Sequence, residues 1–444
     1  MKSSNKVPQH VNKEAYRKLR RKARRRRRII RASLLSVASL IVIALIGTLV
    51  WGGLSILFPQ NANTGGDANG DKKPAQVAKV KKPHKGLNGE KQSSFTFTGV
   101  GDNLLHDTIF VYFEQDNGHR DFRELYANTK PYFQDTDLAY VNFETVCAGD
   151  EFGLSGYPSF NGPLEMMDAL ADSGFNWFSV SSNHSLDAGM AGLQKEISYA
   201  HERFPHISTT GAFVSEEEAS TPVVREINGI RVGLAGFTYG LNGYQKPEGA
   251  DWLVDVYKAG EETIDYDLME RKLAELDAVS DVQIVSMHWG VEYTNDPTDE
   301  QREVARFLNE QGVEAIIGAH PHVIQPVEFI ETPEQTTLVY YSLGNFISAQ
   351  DTQETMVGGM ARFKMNYDFN TQKASFENVQ FIPTVTWISP DLRQYRTLTI
   401  REYNDDWAAG HFITAMGMDL TKAWVQDYTR TVCGSPENIE IVVE

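Results

Sequence analysis

Two histidines separated by a single proline stand in the segment GAHPHVIQP, residues 318–326. His320 and His322 directly follow the apolar run EAIIG, which the pattern predicts as a buried strand. A loop at the end of a strand can aim both imidazoles at one point, where they would bind a divalent metal ion. The alternative is that they are two polar residues in an ordinary turn. The choice depends on which other side chains the fold brings to the same place.

Polar side chains of the metal-binding and acid–base types follow four other predicted strands. SFTFTGVGD ends in Asp102, AYVNFE ends in Glu144, Asn183 and His184 follow NWFSVSS, and VQIVSMH ends in His288. In α/β sheets, sites form outside the carboxyl ends of the strands. Five segments that share this position are difficult to attribute to chance. We therefore interpret the two opening histidines as metal ligands.

The donor types indicate two divalent ions. Imidazole suits Zn, Fe or Mn, and carboxylate or amide oxygen favours the harder ions among them. In hydrolytic sites with two metals, a carboxylate can bridge the ions, and the ions activate a water molecule for attack. The predicted ligands suffice for two ions; they are Asp102, Glu144, Asn183, His288, His320 and His322.

Four further residues are assigned roles around these ligands. His184 follows the proposed ligand Asn183 and is predicted to be catalytic, as a proton donor to the leaving group or a hydrogen-bond donor to an oxyanion. Asp187 either orients His184 through a hydrogen bond or caps the helix that follows. Glu292 is predicted to orient a ligand or contact an amine of the substrate. Asn345 is predicted to lie near the ions and to contact substrate, although a tight turn after a strand also explains it.

The elements that must position these residues alternate between strands and helices. Helices are predicted near 163–173, 192–204, 264–278 and 299–312. The run TPVVREINGIRVGLAGF (221–237) is typical of a hairpin with Asn-Gly at its turn. Residues 336–346 predict one more strand, and residues 360–386 another hairpin. This alternation predicts an α/β protein, followed by a C-terminal helical extension at 391–444.

The N-terminal part has a different composition. Residues 1–31 are strongly basic, and residues 32–58 contain no charged side chain. The uncharged span exceeds the roughly 20 residues that cross a bilayer, whereas the apolar region of a cleavable signal peptide is usually about 7–15 residues. The positive-inside rule then predicts a cytoplasmic segment 1–31 and a single-pass transmembrane helix 32–58 in the cell membrane. Residues 59–93, rich in Gly, Asn, Pro and Lys, predict a disordered extracytoplasmic linker.

Charge and cysteine content restrict the possible partners and the compartment. The chain has a net charge of −17 although its N-terminus is basic, so the body is strongly acidic. An acidic body argues against nucleic acid as a partner, because phosphate binding needs a basic surface. Cys147 and Cys433 either pair outside the cytoplasm or are two buried free thiols, and their spacing does not decide between these alternatives.

Taken together, the motifs resemble the CapA family of capsule and poly-γ-glutamate biosynthesis proteins, within the metallophosphatase superfamily. The matching segments lie in order between residues 94 and 350: GD (101–102), NFE (142–144), SSNHSLDAG (181–189), MHWGVEY (287–293), GAHPHVIQPVE (318–328) and YSLGNF (341–346). The resemblance implies that residues 94–390 form a four-layered αββα sandwich with a dimetal-type centre. It also implies a role in making, exporting or anchoring an anionic capsule polymer such as poly-γ-glutamate at the cell surface.

The resemblance also assigns roles to individual residues. Asp102 stands at the leading aspartate of the first motif, which usually has a histidine two residues later, but Leu104 occupies that position here. His106 is the nearest replacement as a metal ligand. Glu144 stands where the superfamily generally has a bridging aspartate. The remaining matches are Asn183 and His184 with the Asn-His pair, His288 with the next ligand, and His320 and His322 with the closing pair. The departures at Leu104 and Glu144 weaken the case for ordinary phosphoesterase activity.

Three functions are compatible with these observations. The first is a membrane-anchored surface hydrolase or transferase that acts on a phosphoester or on the amide-linked polymer. The second is a non-catalytic component that keeps a degenerate site and binds the polymer or membrane synthase subunits, and Leu104 favours it. The third is an extracellular metal-dependent phosphodiesterase or nucleotidase unrelated to capsule. It would need phosphate-binding Arg or Lys near the site, and the matched motifs contain none.

Overall fold

The computed structural model describes residue 84 and residues 86–113, 119–259 and 263–444. These belong to the second of two compact units, Lys79–Glu444. The predicted cytoplasmic segment 1–31, the predicted transmembrane helix 32–58 and most of the predicted linker 59–93 lie outside the described residues. Within the described ranges, no helix is both long enough and apolar enough to span a membrane.

The strands are numbered here in chain order. They are β1 (Gln92–Asn103), β2 (Leu138–Asn142), β3 (Trp177–Ser179), β4 (Ser208–Thr210), β5 (Val223–Ile227), β6 (Ile230–Thr238), β7 (Lys258–Ala259), β8 (Thr263–Ile264), β9 (Val282–His288), β10 (Ala315–Ala319), β11 (Val327–Glu331), β12 (Thr336–Tyr340), β13 (Asn345–Ile347), β14 (Val357–Asp368), β15 (Lys373–Ile388), β16 (Tyr395–Thr399) and β17 (Glu440–Ile441).

The helices are numbered in the same way. They are α1 (Asp107–Phe110), α2 (Arg123–Tyr126), α3 (Lys130–Gln134), α4 (Glu165–Ser173), α5 (Gly189–Arg203), α6 (Glu216–Ala219), α7 (Tyr266–Asp277), α8 (Asp299–Glu310), α9 (Asp405–Ala409), α10 (Phe412–Ala415) and α11 (Lys422–Cys433). Short 3-10 helices occur at Leu87–Gly89, Asp150–Phe152 and Glu354–Met356.

Most strands belong to two mixed sheets. The nine-stranded sheet has the order β16-β15-β14-β1-β2-β3-β4, with β13 paired to β1 and β17 paired to β15. The six-stranded sheet has the order β11-β12-β10-β9-β6-β5, and β7 pairs with β8 separately. Strands β1 to β4 are parallel neighbours, and so are β6, β9, β10 and β12. Within each parallel set, the carboxyl ends of the strands therefore lie at one edge.

The two sheets contact each other through buried side chains. The Tyr140 hydroxyl on β2 lies 2.6 Å from Ser286 Oγ on β9. The Tyr340 hydroxyl on β12 donates a hydrogen bond to the Gln380 carbonyl on β15 at 2.9 Å. Helices α2 and α4 contact each other, α2 also contacts β16, and α7 and α8 contact strands of the six-stranded sheet. The predicted α/β class is confirmed.

Local signals in the sequence account for several element boundaries. Helix α8 begins with a capping box, in which the Thr298 hydroxyl accepts a hydrogen bond from the Gln301 amide and the Gln301 side chain accepts one from the Thr298 amide. Asn228 and Gly229 both have positive φ in the turn between β5 and β6, as the Asn-Gly hairpin signal predicts. The predicted strand 336–346 is divided into β12 and β13, which pair in different sheets.

The C-terminal part differs from its prediction. Residues 391–444 contain α9, α10 and α11, but they also contain β16 and β17, which both pair with β15. This region is therefore joined to the nine-stranded sheet and is not a purely helical extension. At the other end, the last residues of the predicted linker already belong to β1, which begins at Gln92. Cys147 and Cys433 are buried free thiols.

Candidate metal centre

The predicted ligands lie where the parallel strands end, as the sequence predicts. Asp102 is the penultimate residue of β1, and His288 is the last residue of β9. Glu144 lies two residues after β2, and His320 directly follows β10. The side chains come from both sheets, because the two sets of carboxyl ends meet at the same edge of the molecule. All four residues are buried, with exposed fractions of 3% or less.

Two groups of donor atoms have a spacing that suits a metal ion. The first is Glu144 with His320 and His322, and the second is Asp102 with Glu144 and His288. In each group, the candidate ligand atoms lie within 4.8 Å of one another. Glu144 belongs to both groups. One carboxylate is therefore shared by two candidate donor groups, as is expected of a ligand that bridges two ions.

Three polar atoms of the predicted ligands have no hydrogen-bond partner among the described residues. Both carboxylate oxygens of Glu144 are buried and, among the described residues, have no hydrogen-bond partner, and the same holds for His320 Nδ1. His322 Nε2 and His288 Nε2 lie 3.6 Å and 3.9 Å from Glu144 Oε1, and both distances are too long for a hydrogen bond. An unsatisfied buried carboxylate is costly unless it pairs with a cation or coordinates a metal. The residues present therefore fit a divalent metal centre.

Hydrogen bonds fix the orientation of the ligands in the first group. His322 Nδ1 lies 3.0 Å from Asp102 Oδ2 and 3.1 Å from Asn345 Oδ1. Both partners are acceptors, so Nδ1 carries a proton, and Nε2 is the nitrogen that faces Glu144. Asn345 is held in turn, since its Nδ2 donates to the Thr355 carbonyl at 3.0 Å. In this buried position Asn345 can orient His322, and its predicted contact with substrate stays a prediction.

Amide side chains organise the second group. Asn142 Nδ2 donates to Asp102 Oδ1 at 2.9 Å and lies 3.4 Å from His288 Nδ1. Asn183 Oδ1 lies 3.0 Å from His288 Nε2. The Asn183 amide nitrogen donates to Asn242 Oδ1 at 3.2 Å, so its oxygen is directed towards the donor group. Asn183 thus lies beside His288 of the second donor group, and its predicted role as a metal ligand stays a prediction.

Burial and charge set the protonation preferences of the donors. Burial lowers the pKa of His288 and His320 well below the ordinary value, and the neighbouring imidazoles lower it further. Both rings are therefore neutral, which is the form that binds a metal ion. Burial raises the pKa of Glu144 well above its ordinary value. Burial also opposes protonation of His322, but the Glu144 and Asp102 carboxylates outweigh it and raise the pKa of His322 to about 9.

His184 and Asp187 form a hydrogen-bonded pair beside the ligands. His184 Nδ1 lies 2.7 Å from Asp187 Oδ2, and the Phe160 amide donates to the same oxygen at 2.6 Å. Nδ1 therefore carries the proton, which leaves Nε2 free to act as a base or, when protonated, as an acid. The N-cap of helix α5 is Ala188, without a side-chain cap. Of the two predicted roles of Asp187, the geometry shows orientation of His184 and not capping of the helix.

His106 and Glu292 lie outside both donor groups. His106 Nδ1 accepts a hydrogen bond from the Ala349 amide at 3.3 Å. Burial lowers the pKa of His106 to about 4, and its ring lies 5.4 Å between centroids from that of Phe160, which also packs against His184. Glu292 is exposed, and its charge raises the pKa of both Glu144 and His322. Their predicted roles as ligand and substrate contact stay predictions.

Backbone geometry at the histidine pair is unusual. His320 and His322 have φ values of 96° and 60°, a region that costs roughly 1–3 kcal/mol for residues other than glycine. Close backbone approaches surround them. A Cβ on Gly101 would lie 1.9 Å from the Gly344 carbonyl oxygen, and one on Gly318 would lie 2.0 Å from the Tyr341 carbonyl oxygen. Glycine at these two positions lets β1 and β10 approach the segment that contains Asn345.

Sequence reasoning did not identify three residues around the centre. Of the three, Asn142 could have been identified from the sequence. It lies in the NFE segment directly before Phe143 and Glu144, at the end of a predicted strand. The ring of Tyr239 lies 4.7 Å from that of His320 between centroids, and Asn242 contacts Asn183. Tyr239 and Asn242 belong to the loop after β6, which carries no recognisable motif.

Comparison with known proteins places these features in a family. Residues 96–350 match the family model described as "Bacterial capsule synthesis protein PGA_cap". The PGA biosynthesis protein CapA of Bacillus subtilis (strain 168) is 24% identical over 261 residues, which cover 57% of this chain and 64% of that protein. The capsule biosynthesis protein CapA of Bacillus anthracis is 24% identical over 249 residues, or 54% of this chain and 57% of that protein. The match thus covers less than two thirds of the length of either relative.

The solved structures are less similar to this chain in sequence than the two CapA proteins are. A structure described as a novel phosphatase from Mycoplasma pneumoniae has a TM-score of 0.40 and 14% identity, over 66% of this chain and 94% of that chain. A hypothetical protein from Thermus thermophilus has a TM-score of 0.36 and 15% identity, over 63% of this chain and 96% of that chain. The family match, in contrast, extends over more than half of the sequence and includes every predicted ligand. The chain therefore belongs to the bacterial capsule synthesis family PGA_cap, to which the CapA proteins are related.

Proposed function

We propose that the chain is a metal-dependent hydrolase of capsule or poly-γ-glutamate biosynthesis, acting on a phosphoester or on the amide-linked polymer at the outer surface of the cell membrane. One observation carries the proposal. Glu144 is shared by two groups of buried donors, and both of its carboxylate oxygens lack a hydrogen-bond partner among the described residues. Family membership supports the connection with capsule polymer.

The donor set supports a centre of two ions of Mn, Fe or Zn. Glu144, His320 and His322 would hold one ion, and Asp102, Glu144 and His288 the other, with Asn183 beside them. When bound, such ions would supply Lewis-acid activation of water and of a substrate oxygen. Hydrogen bonds from Asn142 and His322 to Asp102 keep that carboxylate in place.

The remaining chemistry is assigned to His184. Its Nδ1 is bonded to Asp187, so Nε2 is the atom that would deliver a proton to the leaving group. Asp187 would hold the ring in this tautomer and stabilise the imidazolium form. Phe160 packs edge-on against His184, with 4.7 Å between ring centroids. This contact limits rotation of the ring and partly shields it from water.

The proposal includes the arrangement of the whole chain. The contacts between the two sheets, with helices against each of them, support a four-layered αββα sandwich. The basic segment 1–31 and the uncharged span 32–58 support a single-pass anchor with a cytoplasmic N-terminus. Protease added to intact cells should then digest the body and leave a small membrane-embedded remnant. Complete protection of the body would contradict this topology.

A non-catalytic role is the second candidate, and one observation favours it. Leu104, buried with 2% exposure, occupies the position where the resembling superfamily has a histidine ligand. A leucine side chain offers no donor atom. In this case, the body would bind the polymer or membrane synthase subunits and would retain the site without turnover.

His184→Ala distinguishes the two candidates. Because His184 belongs to neither donor group, we expect metal content to stay close to that of the wild type while hydrolysis falls by about 10²–10⁴-fold. Polymer output of cells that carry the variant should fall at unchanged protein level, whereas His206→Ala, at an exposed position, should have no effect. Normal output with His184→Ala, together with loss of output on deletion of residues 94–444, would identify a binding role.

A further inference from the structure

A tight turn in the loop after β6 borders the candidate metal centre. The Tyr244 amide donates a hydrogen bond to the Leu241 carbonyl at 2.9 Å, which closes a turn of four residues. The two central residues, Asn242 and Gly243, have φ values of 51° and 81°, and positive φ at both positions is typical of a type I′ turn. Asparagine and glycine tolerate this region better than other residues. The turn therefore fixes the point at which the Asn242 side chain begins.

Contacts on both sides hold this turn in place. The Tyr239 amide, directly after β6, donates to the carbonyl of His288 at 3.0 Å. Leu241 is buried, with 8% exposure. The Tyr244 hydroxyl lies 3.2 Å from Ser159 Oγ. The turn is thus attached to the end of β9 on one side and to the loop that contains Ser159 on the other.

The Asn242 side chain contacts two residues of the candidate centre. Its Oδ1 accepts a hydrogen bond from Asn183 Nδ2 at 3.2 Å, and its Nδ2 lies 3.3 Å from His184 Nδ1. Asn183 Oδ1 in turn lies 3.0 Å from Nε2 of His288, a member of the second donor group. One amide therefore lies between a residue beside the donor atoms and the proposed proton donor.

Of these three neighbouring side chains, Asn242 alone is exposed to solvent. Asn183 and His184 are 1% and 6% exposed, whereas Asn242 belongs to the exposed residues. The centre therefore meets solvent on the side where Asn242 lies. A substrate that approaches His184 from this side would meet the Asn242 amide.

The amide nitrogen of Asn242 has N–H groups to offer. His184 Nδ1 carries the proton that it shares with Asp187 Oδ2, at 2.7 Å, so this nitrogen cannot also accept a hydrogen bond from Asn242 Nδ2. Across the described ranges, no other acceptor lies within hydrogen-bond distance of Asn242 Nδ2. A carboxamide nitrogen has two N–H donors. These donors can bind a substrate oxygen without breaking a hydrogen bond within the protein.

We propose that Asn242 is a substrate-binding residue of the centre, whose amide N–H groups donate hydrogen bonds to an anionic oxygen of a tetrahedral group beside His184. The inference rests on the proposed function and adds a residue to it. Both candidate substrates present such a group, because a phosphoester is tetrahedral and attack on an amide carbonyl forms a tetrahedral oxyanion. Preorganised N–H donors stabilise such an oxyanion. Oδ1 of the same side chain has a separate task, which is to hold Asn183.

The test is calorimetric titration of inorganic phosphate, a tetrahedral oxyanion, into the purified full-length protein loaded with Mn²⁺, with elemental analysis of the bound metal. Asn242→Asp keeps an acceptor for Asn183 Nδ2 but removes the N–H donors. It should bind phosphate at least about tenfold more weakly than the wild type at unchanged metal content. Asn242→Gly keeps the left-handed turn and removes both functions. It should weaken phosphate binding and also lower bound metal, because Asn183 loses its restraint.

Asn228→Gly is the matched control. It makes the same change in the Asn-Gly turn between β5 and β6, where Asn228 also has positive φ, at the opposite end of β6. This variant should retain the phosphate affinity and the metal content of the wild type.

Each outcome supports or overturns the assignment. Weak phosphate binding by Asn242→Asp at normal metal content, with a normal control, would support it. Wild-type phosphate affinity in Asn242→Asp would overturn it, as would the absence of phosphate binding by the wild type. Loss of metal from Asn242→Asp would show that the amide acts only through Asn183 and would also overturn it. If Asn242→Gly does not fold, the nearly isosteric Asn242→Asp still decides. A wild type that binds phosphate through Asn242 but hydrolyses neither phosphodiesters nor polymer would refute the proposed hydrolase and support this assignment.

Discussion

Replacement of Glu144 by glutamine should leave the metal-free protein at least as stable as the wild type. With metal bound, the same variant should be less stable than the wild type. In the metal-free protein, the buried Glu144 carboxyl has no hydrogen-bond partner for either oxygen among the described residues, and burial raises its pKa. The wild type therefore bears a cost of desolvation or of protonation on folding. Glutamine has nearly the same shape and carries no charge. We expect the metal-free Glu144→Gln protein to be at least as stable as the wild type, by up to about 3 kcal/mol.

The order of stability of the two proteins should reverse when metal is added. A ligand that binds only the folded protein stabilises it by RT ln(1 + [L]/Kd), or about 2.7 kcal/mol at a concentration of 100 Kd. Glu144 belongs to both donor groups, so its loss weakens both sites at once. The wild type should gain about 5 kcal/mol from two ions, twice the value for one, and its Tm should rise by several degrees. Glu144→Gln should gain little.

The assay is thermal unfolding of the chelator-treated proteins with increasing Mn²⁺ or Zn²⁺, together with elemental analysis of the bound metal. Glu226→Gln is the control, because it makes the same chemical change at an exposed residue of β5 outside both donor groups. It should respond to metal as the wild type does. The bridging assignment is wrong if Glu144→Gln gains as much stability from metal as the wild type and retains the same metal content.

Three further outcomes follow from the structure. His320→Ala and His288→Ala should each lower bound metal while the protein stays folded, because both side chains lie at strand ends and are not part of the apolar core; unchanged metal content in both variants would contradict the ligand assignment. Asp187→Asn should reduce kcat less than His184→Ala does and leave metal content unchanged, since Asp187 orients the ring of His184 and belongs to neither donor group; a loss of metal would show that the pair has a structural role. Burial raises the pKa of Glu196 from its ordinary value of 4.5 to about 8, so the folded state binds the extra proton between these values. The contribution of Glu196 to the free energy of unfolding should therefore fall as pH rises through this window, by roughly 1.4 kcal/mol per pH unit at most, and Glu196→Gln should make the slope measured in denaturant titrations less steep. An identical slope in both proteins would exclude Glu196 as the cause.

The sequence by itself determined the fold class and the position of the candidate ligands along the chain. Alternating and apolar runs define strands locally, so the residues at the ends of β1, β2, β9 and β10 could be identified without a structure. Parallel strands bring their carboxyl ends to one edge, and this rule predicted that Asp102, Glu144, His288 and His320 would meet. The Asn-Gly turn and the cap of α8 were also predictable, because both depend on a few consecutive residues.

Only the tertiary structure decided how these side chains face one another. Asp102 and His322 are 220 positions apart and lie 3.0 Å from each other, and no local pattern encodes such a contact. Three other features also depend on contacts between distant segments. Glu144 is shared by both donor groups, and Asn345 contacts His322. Strands in residues 391–444 pair with the nine-stranded sheet. Hydrogen-bond partners and desolvation depend on which surfaces are packed together. Periodicity along the chain determines which face of a helix or strand is buried. The packing of distant segments determines which residues that face contacts.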